Sequence, residues 1–193
     1  MPSDADLRAD LRAWQPSRAE QRALRDDTVA FVDAAGGAAS DRGSGPEHVT
    51  ASCFVLTRDL GRVLLCLHRK GGFWVQLGGH VEPDDASLAA AALREAREEG
   101  GIDALTPLTA PAGGAAIVDL DRHALAGSFG RCRAHRDVGF VAFADEGAVP
   151  AVSDESDDVR WFSVDDLPQE VPPGFGARLA GAIADARRVL EAR

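Results

Sequence analysis

The chain has no tyrosine, and its three cysteines, Cys53, Cys66 and Cys132, are odd in number with no Cys-x-x-Cys pair among them. A disulfide framework or a structural zinc site is therefore not expected. Cys53 and Cys66 sit inside apolar runs and read as small buried hydrophobes. No window approaches 18 uninterrupted apolar residues, which excludes a membrane-spanning helix. The N-terminal Met1-Pro2-Ser3-Asp4 is acidic and has no apolar signal region. Positive charge is also scarce: 21 Lys and Arg face 31 Asp and Glu, a formal net charge of −10. That balance argues against nucleic acid polymers and anionic membranes, which both require a positive field. These absences leave a reduced, soluble, cytoplasmic protein as the expectation.

What is present suits one domain with a small extension: 193 residues, 45% hydrophobic and 27% charged, with no internal repeat. Leu7, Leu11 and Trp14 recur at helical spacing before Pro16 interrupts. Ser17 and Glu20 then form a capping-box pattern that opens a second helix toward Phe31 and Val32. Residues 35–46 are rich in Gly, Ala and Ser and read as a linker. Residues 49–57 and 62–68 predict two strands joined by Arg58-Asp59-Leu60-Gly61. Residues 69–85 read as loop with a short apolar piece at 74–77. Residues 86–99 favour helix strongly, and Gly100-Gly101 ends it. Strands follow at 115–120, 138–144 and 159–162, and a last helix runs from Pro172-Pro173 to about residue 192. This order predicts an α/β fold, a mixed β-sheet with helices packed on it. The division expected is a helical N-terminal extension at 1–44 and a main domain at 45–193.

One stretch carries chemistry. In Arg94-Glu95-Ala96-Arg97-Glu98-Glu99-Gly100-Gly101-Ile102, the residues Glu95, Glu98 and Glu99 stand at i, i+3 and i+4, so three carboxylates share one helix face. Like charges held together call for a cation among them. A hard divalent ion with oxygen ligands is the natural one, and Mg²⁺ is usual in phosphate chemistry. Arg94 lies four residues before Glu98 and can orient or neutralise a carboxylate. Upstream, Gly78-Gly79-His80 offers backbone bare enough to approach a metal or phosphate closely. The alternative is a solvated charged face, but the glycine pair at a near-fixed distance favours a metal site.

Gly79, the acidic turn at Asp84-Asp85 and the run Arg94 to Ile102 resemble the Nudix box, G-x5-E-x7-R-E-U-x-E-E-x-G-U with U apolar. The resemblance covers roughly residues 48–170. The string Trp74-Val75-Gln76-Leu77-Gly78-Gly79-His80 is similar to a bacterial subgroup with Leu-Gly-Gly-His. So is the acidic Ser153-Asp154-Glu155-Ser156 ahead of Arg160-Trp161-Phe162. Two departures stand out. Gly79 and Arg94 are one residue further apart than the box prescribes, and the box Glu position holds Asp85 or Ala86, depending on the direction of counting. In the family that Glu mainly holds the loop, so the departures bear on loop geometry and metal affinity more than on the helical carboxylates.

The resemblance implies a Nudix-like α/β/α sandwich and a pyrophosphohydrolase. It would cleave a nucleoside diphosphate linked to another moiety, with Mg²⁺ (Mn²⁺ as substitute). It implies Glu98 and Glu99 as metal ligands, Glu95 as ligand or base, a further oxygen from Gly78, Arg94 as positioning residue and Glu155 as an additional base. Asp157 and Asp158 compete with Glu155. Candidates for substrate contact are Arg69, Lys70, Trp74, Gly79 and His80, with Arg131, Arg133 and the His135 segment also near the expected cleft, while Trp161 reads as core. The partner expected is a small anionic nucleotide. The extension is open to three roles: capping the sheet, shaping the cleft or making a homodimer. Absent tyrosine weighs against a dinucleoside polyphosphate substrate. Absent proline near Ile117-Val118-Asp119 weighs against ADP-ribose. Two rivals share the fold: a non-hydrolytic nucleotide-binding regulator, and an isoprenoid-diphosphate isomerase, which would need Cys53 or Cys66 exposed in the cleft.

Overall fold

A computed structural model of the chain describes residues 2–125, 132–153 and 156–192. Its spine is strand β1 (Glu47–Thr57), flanked by β2 (Arg62–His68), β4 (Leu77–His80) and β7 (Ala134–Ala144). β1 runs parallel to β7 in the register His48↔His135 and Thr50↔Asp137. It is antiparallel to β2, with Val55↔Leu64, and to β4, with Ser52↔Gly78 and Thr50↔His80. β3 (Phe73–Val75) and β8 (Ser156–Ser163) pair with β2, while β5 (Thr106–Pro107) and β6 (Ile117–Ala124) pair with β7. The mixed sheet thus has eight strands among the described residues.

Helices cover both faces. Leu7 and Leu11 of α1 (Asp4–Ala13), Val32 of α2 (Ala19–Ala35) and Leu88, Ala91, Ala92 and Ala96 of α3 (Leu88–Gly100) share one core with the odd-numbered β1 residues Val49, Ala51, Cys53 and Val55. Phe175, Leu179, Ala182 and Ile183 of α4 (Phe175–Glu191) bury the even-numbered Phe54 and Leu56. The fold is therefore an α/β/α sandwich with a mixed sheet, as the sequence predicts. Truncating a fully buried anchor such as Phe54 or Phe175 would cost about 3–5 kcal/mol.

Local chemistry sets the helix that matters most. Ser87 caps α3 by accepting from the Ala90 amide at 3.1 Å, which is worth about 1 kcal/mol. Gly101 ends it at φ 63°, a conformation a side chain would resist.

Several expectations are corrected. The Ser17–Glu20 capping box does not form: Arg18 is the N-cap of α2, with no side-chain cap bond. Ser17 instead accepts from Arg188 and lies 3.4 Å from Asp185, tying this turn to α4. The 69–85 segment is not all loop, because it contains β3 and β4. Strands β7 and β8 start earlier than predicted, at Ala134 and Ser156. The 1–44 segment packs closely on the sheet. Gln21 bonds Asp119 and both backbone groups of Leu120, and Asp27 pairs with Arg136.

Candidate active site

The even-numbered face of β1 changes character along its length. Phe54 and Leu56 lie under α4, but His48, Thr50 and Ser52 are polar and equally buried. Thr50 and Ser52 floor a cleft of about 790 Å³. The volume falls within the range of small-molecule sites. Its lining includes Arg69, Lys70, Gly78, Gly79, His80, Glu99 and Asp137.

Arg94 organises the carboxylates. Its guanidinium donates to Asp85 at 3.1 and 3.0 Å, to Glu98 at 2.9 Å and to the His80 carbonyl at 3.0 Å, and it pairs with Glu95 at 3.1 Å. These acceptors raise its already high pKa, Asp85 most of all, so it stays cationic. Asp85 thus does the holding that the box pattern gives to Glu. It also accepts from the Glu82 amide at 2.8 Å, which closes the turn. Burial pushes the Asp85 carboxyl up, but the Arg94 and Glu82 bonds outweigh it and leave it below its usual 3.8. The extra residue between Gly79 and Arg94 is thus absorbed in the loop without losing the loop-to-helix clasp.

The glycines are positional. The Gly78 amide donates to Glu99 at 2.8 Å, and a Cβ at Gly78 would lie 2.5 Å from that of Ser52. A Cβ at Gly79 would stand 2.6 Å from a Glu95 carboxylate oxygen. The bare Gly78-Gly79 backbone therefore lets two carboxylates of α3 reach the strand edge. Of the three, Glu99 is buried, Glu95 nearly so and Glu98 largely in solvent, with 58% of its side chain exposed.

The structure brings Gly78, Gly79, His80, Glu95, Glu99, Arg69 and Lys70 into one region. Arg69 also donates to Asp157 at 2.8 Å and to the Ser156 carbonyl. Trp74 is not part of it. Its neighbours Phe73 and Val75 line the cleft, while alternation turns Trp74 into the core under α4 with Phe54 and Phe175. There it is buried against Phe162, with ring centroids 4.8 Å apart. Arg133 is exposed and does not line the cleft. Asp158 pairs with Arg160. Trp161 packs on the core and donates to the Ala148 carbonyl. Glu155 and Arg131 lie outside the described residues. Cys53 and Cys66 are buried, and burial pushes both thiols up to about 12, which removes the exposed cysteine an isomerase would need.

Residues 46–183 match the family described as the NUDIX domain. The chain belongs to the Nudix family. Solved structures agree in fold. A NUDIX-family hydrolase from Clostridium perfringens is 24% identical, with a TM-score of 0.51, covering 73% of this chain and 97% of that one. An ADP-ribose pyrophosphatase from Streptococcus suis is 21% identical, with a TM-score of 0.50, covering 72% and 91%. The C. elegans Ap4A hydrolase is 18% identical, with a TM-score of 0.55, covering 70% and 95%. No curated protein matches the sequence. In Nudix terms, the box helix is α3 and the box loop is the turn from Gly79 to Asp85.

Sequence reasoning missed the polar floor. Asp137 accepts from Thr50 at 3.0 Å, from Ser52 and from Gln76 at 3.2 Å. The signal available was the run of polar residues at alternate positions of an otherwise apolar strand, Thr50 and Ser52 before Phe54 and Leu56. Among the described residues, no helix is long and apolar enough to cross a membrane.

Proposed function

We propose that this Nudix protein hydrolyses a phosphoanhydride bond in a nucleoside diphosphate linked to another moiety. Mg²⁺ or Mn²⁺ would be held by Glu95, Glu98, Glu99 and the Gly78 carbonyl. The carrying observation is the Arg94 clasp: one guanidinium joins Asp85, Glu95, Glu98 and the His80 carbonyl, so box loop and box helix move as one unit. Carboxylates in such number suit a hard divalent ion. When bound, such an ion offsets phosphate charge and lowers the pKa of coordinated water.

The chain's own groups supply the rest. Arg94 fixes the rotamers of Glu95 and Glu98. The Gly78 amide fixes Glu99 through one oxygen, Oε2. Glu95 is the candidate to remove the proton from attacking water, and Glu155 a second one by its place in the acidic loop. Arg69 and Lys70 face the cleft and are suited to receive phosphate oxygens. Residues 1–44 act as an extension that braces β6 and β7 beside a Nudix domain at 45–193. The cellular setting proposed is the cytoplasm, and the substrate a small nucleotide rather than a polymer.

The test is a hydrolysis screen over nucleoside triphosphates, nucleotide sugars, dinucleotides and ADP-ribose with Mg²⁺ and Mn²⁺. Release of phosphate, pyrophosphate or a nucleoside monophosphate from at least one substrate, lost in Glu98→Gln, is the expected result. Nucleotide binding without turnover of any of them would overturn hydrolysis in favour of a regulatory domain.

A further inference from the structure

A second group of potential ligands converges at the other end of the cleft floor, away from the helical carboxylates. His48 and His135 are register partners on β1 and β7, and His80 ends β4 beside them. Cys132 precedes β7. One potential ligand atom from each of these four residues lies within 4.8 Å of the other three. The imidazole centroids are 5.0 Å apart for His48–His80, 4.8 Å for His48–His135 and 5.3 Å for His80–His135. Three segments thus bring nitrogen and sulfur atoms together.

Ordinary core packing explains this poorly. A neutral imidazole carries one donor and one acceptor, and burying either without a partner is unfavourable. His48 is fully buried, and neither of its ring nitrogens has a hydrogen-bond partner. The buried Nε2 atoms of His80 and His135 are likewise unpartnered. Imidazole nitrogens with free lone pairs are what a transition metal binds.

We propose that His48, His80, Cys132 and His135 form a Zn²⁺ site, separate from the carboxylate set on α3. Three nitrogens and one sulfur match tetrahedral zinc and are wrong for Mg²⁺, which prefers an all-oxygen octahedron. Ligands at 2.0–2.3 Å from the ion require these atoms to draw together by about 1 Å, within reach of side-chain rotation. Four protein ligands close the coordination sphere, so the ion is structural. It ties β1, β4 and β7 together at the residue whose carbonyl receives Arg94. His123 stands 5.5 Å from His135 but is turned to Asp121 at 2.8 Å and is outside the set.

The test needs no substrate, so it stands or falls apart from the hydrolytic reading. Full-length protein expressed with zinc is desalted and its metal content measured, then the metal is replaced by Co²⁺. The expected result is roughly one zinc per chain. The Co²⁺ form should show intense visible bands of tetrahedral geometry and a near-ultraviolet thiolate-to-cobalt band. Cys132→Ser should lose the thiolate band, and His135→Ala should lose zinc. Glu98→Gln and His123→Gln should both retain it. No zinc in the wild-type protein, or a cobalt spectrum without the thiolate band, would overturn the site whatever the variants do. Loss of zinc in Glu98→Gln would overturn it by placing the ion on α3.

Discussion

The two ends of the cleft are built from opposite chemistry. At α3, carboxylates crowd around one guanidinium and one glycine pair, and Glu98 stands largely in solvent. At the β1–β7 end, neutral imidazoles and a thiol meet with no carboxylate among them. The first end suits a hard, exchangeable, hydrated ion, while the second suits a soft, retained one. Yet Gly78-Gly79-His80 borders both, since the Gly78 amide donates to Glu99 and His80 stacks on His48. In the proposed arrangement one short strand joins an exchangeable site to a retained one.

The sharpest way to break this contrast is at the helix. Glu99→Gln and Glu98→Gln should each lower kcat by about a thousandfold at saturating Mg²⁺ with thermal melts close to wild type. Activity near wild type in either would show that α3 is not where the chemistry happens. Next in size is Arg94→Lys. It keeps the charge but loses the fork that reaches Asp85, Glu98 and His80, and kcat should drop about a hundredfold. A milder perturbation is Gly79→Ala. The new methyl would press on the movable end of Glu95, so the Mg²⁺ concentration for half-maximal activity should rise about tenfold with little change in melting temperature. A loss of folding instead would mean that the strand edge, not the carboxylate, needs the glycine. Cys132→Ser, at the other end, should remove the thiolate ligand and leave Mg²⁺-dependent kcat near wild type. A collapse of kcat would merge the two ends into one site.

Legibility in the sequence followed the range of the contacts. The carboxylate face of α3 lies within five residues on one regular element, so helical periodicity alone places Glu95, Glu98 and Glu99 together. The sandwich was likewise readable from the order of apolar runs. β4 was hidden, because Leu-Gly-Gly-His has no strand composition and exists as a strand only through its pairing with β1. The histidine cluster was hidden too. Its members come from positions 48, 80, 132 and 135, and the pairings of β1 with β7 and with β4 unite them. Cysteine spacing alone says nothing of such a mixed His–Cys cluster. Trp74 was misplaced by a parity of one, since a three-residue strand gives too little alternation to read. Ser17 had the right cap pattern, but a tertiary partner on α4 claimed its hydroxyl.

The smallest effect tests whether Asp85 substitutes for the box Glu by electrostatics or only by shape. Asp85→Asn keeps an oxygen for the Glu82 amide and a similar volume, but removes the charge facing Arg94. The carboxyl's folded pKa is depressed, so the pair contributes stability above the unfolded value near 3.8 and loses it as pH falls through the lower folded value. At pH 7 the variant should therefore melt a few degrees below wild type, about 1 kcal/mol, since the guanidinium is partly solvated and the pair screened. In acid, near pH 3 and below, the two melting curves should approach each other. A constant gap at all pH values would mean that Asp85 acts through hydrogen-bond geometry alone. In that case Arg94, rather than the acidic turn, carries the whole connection between loop and helix.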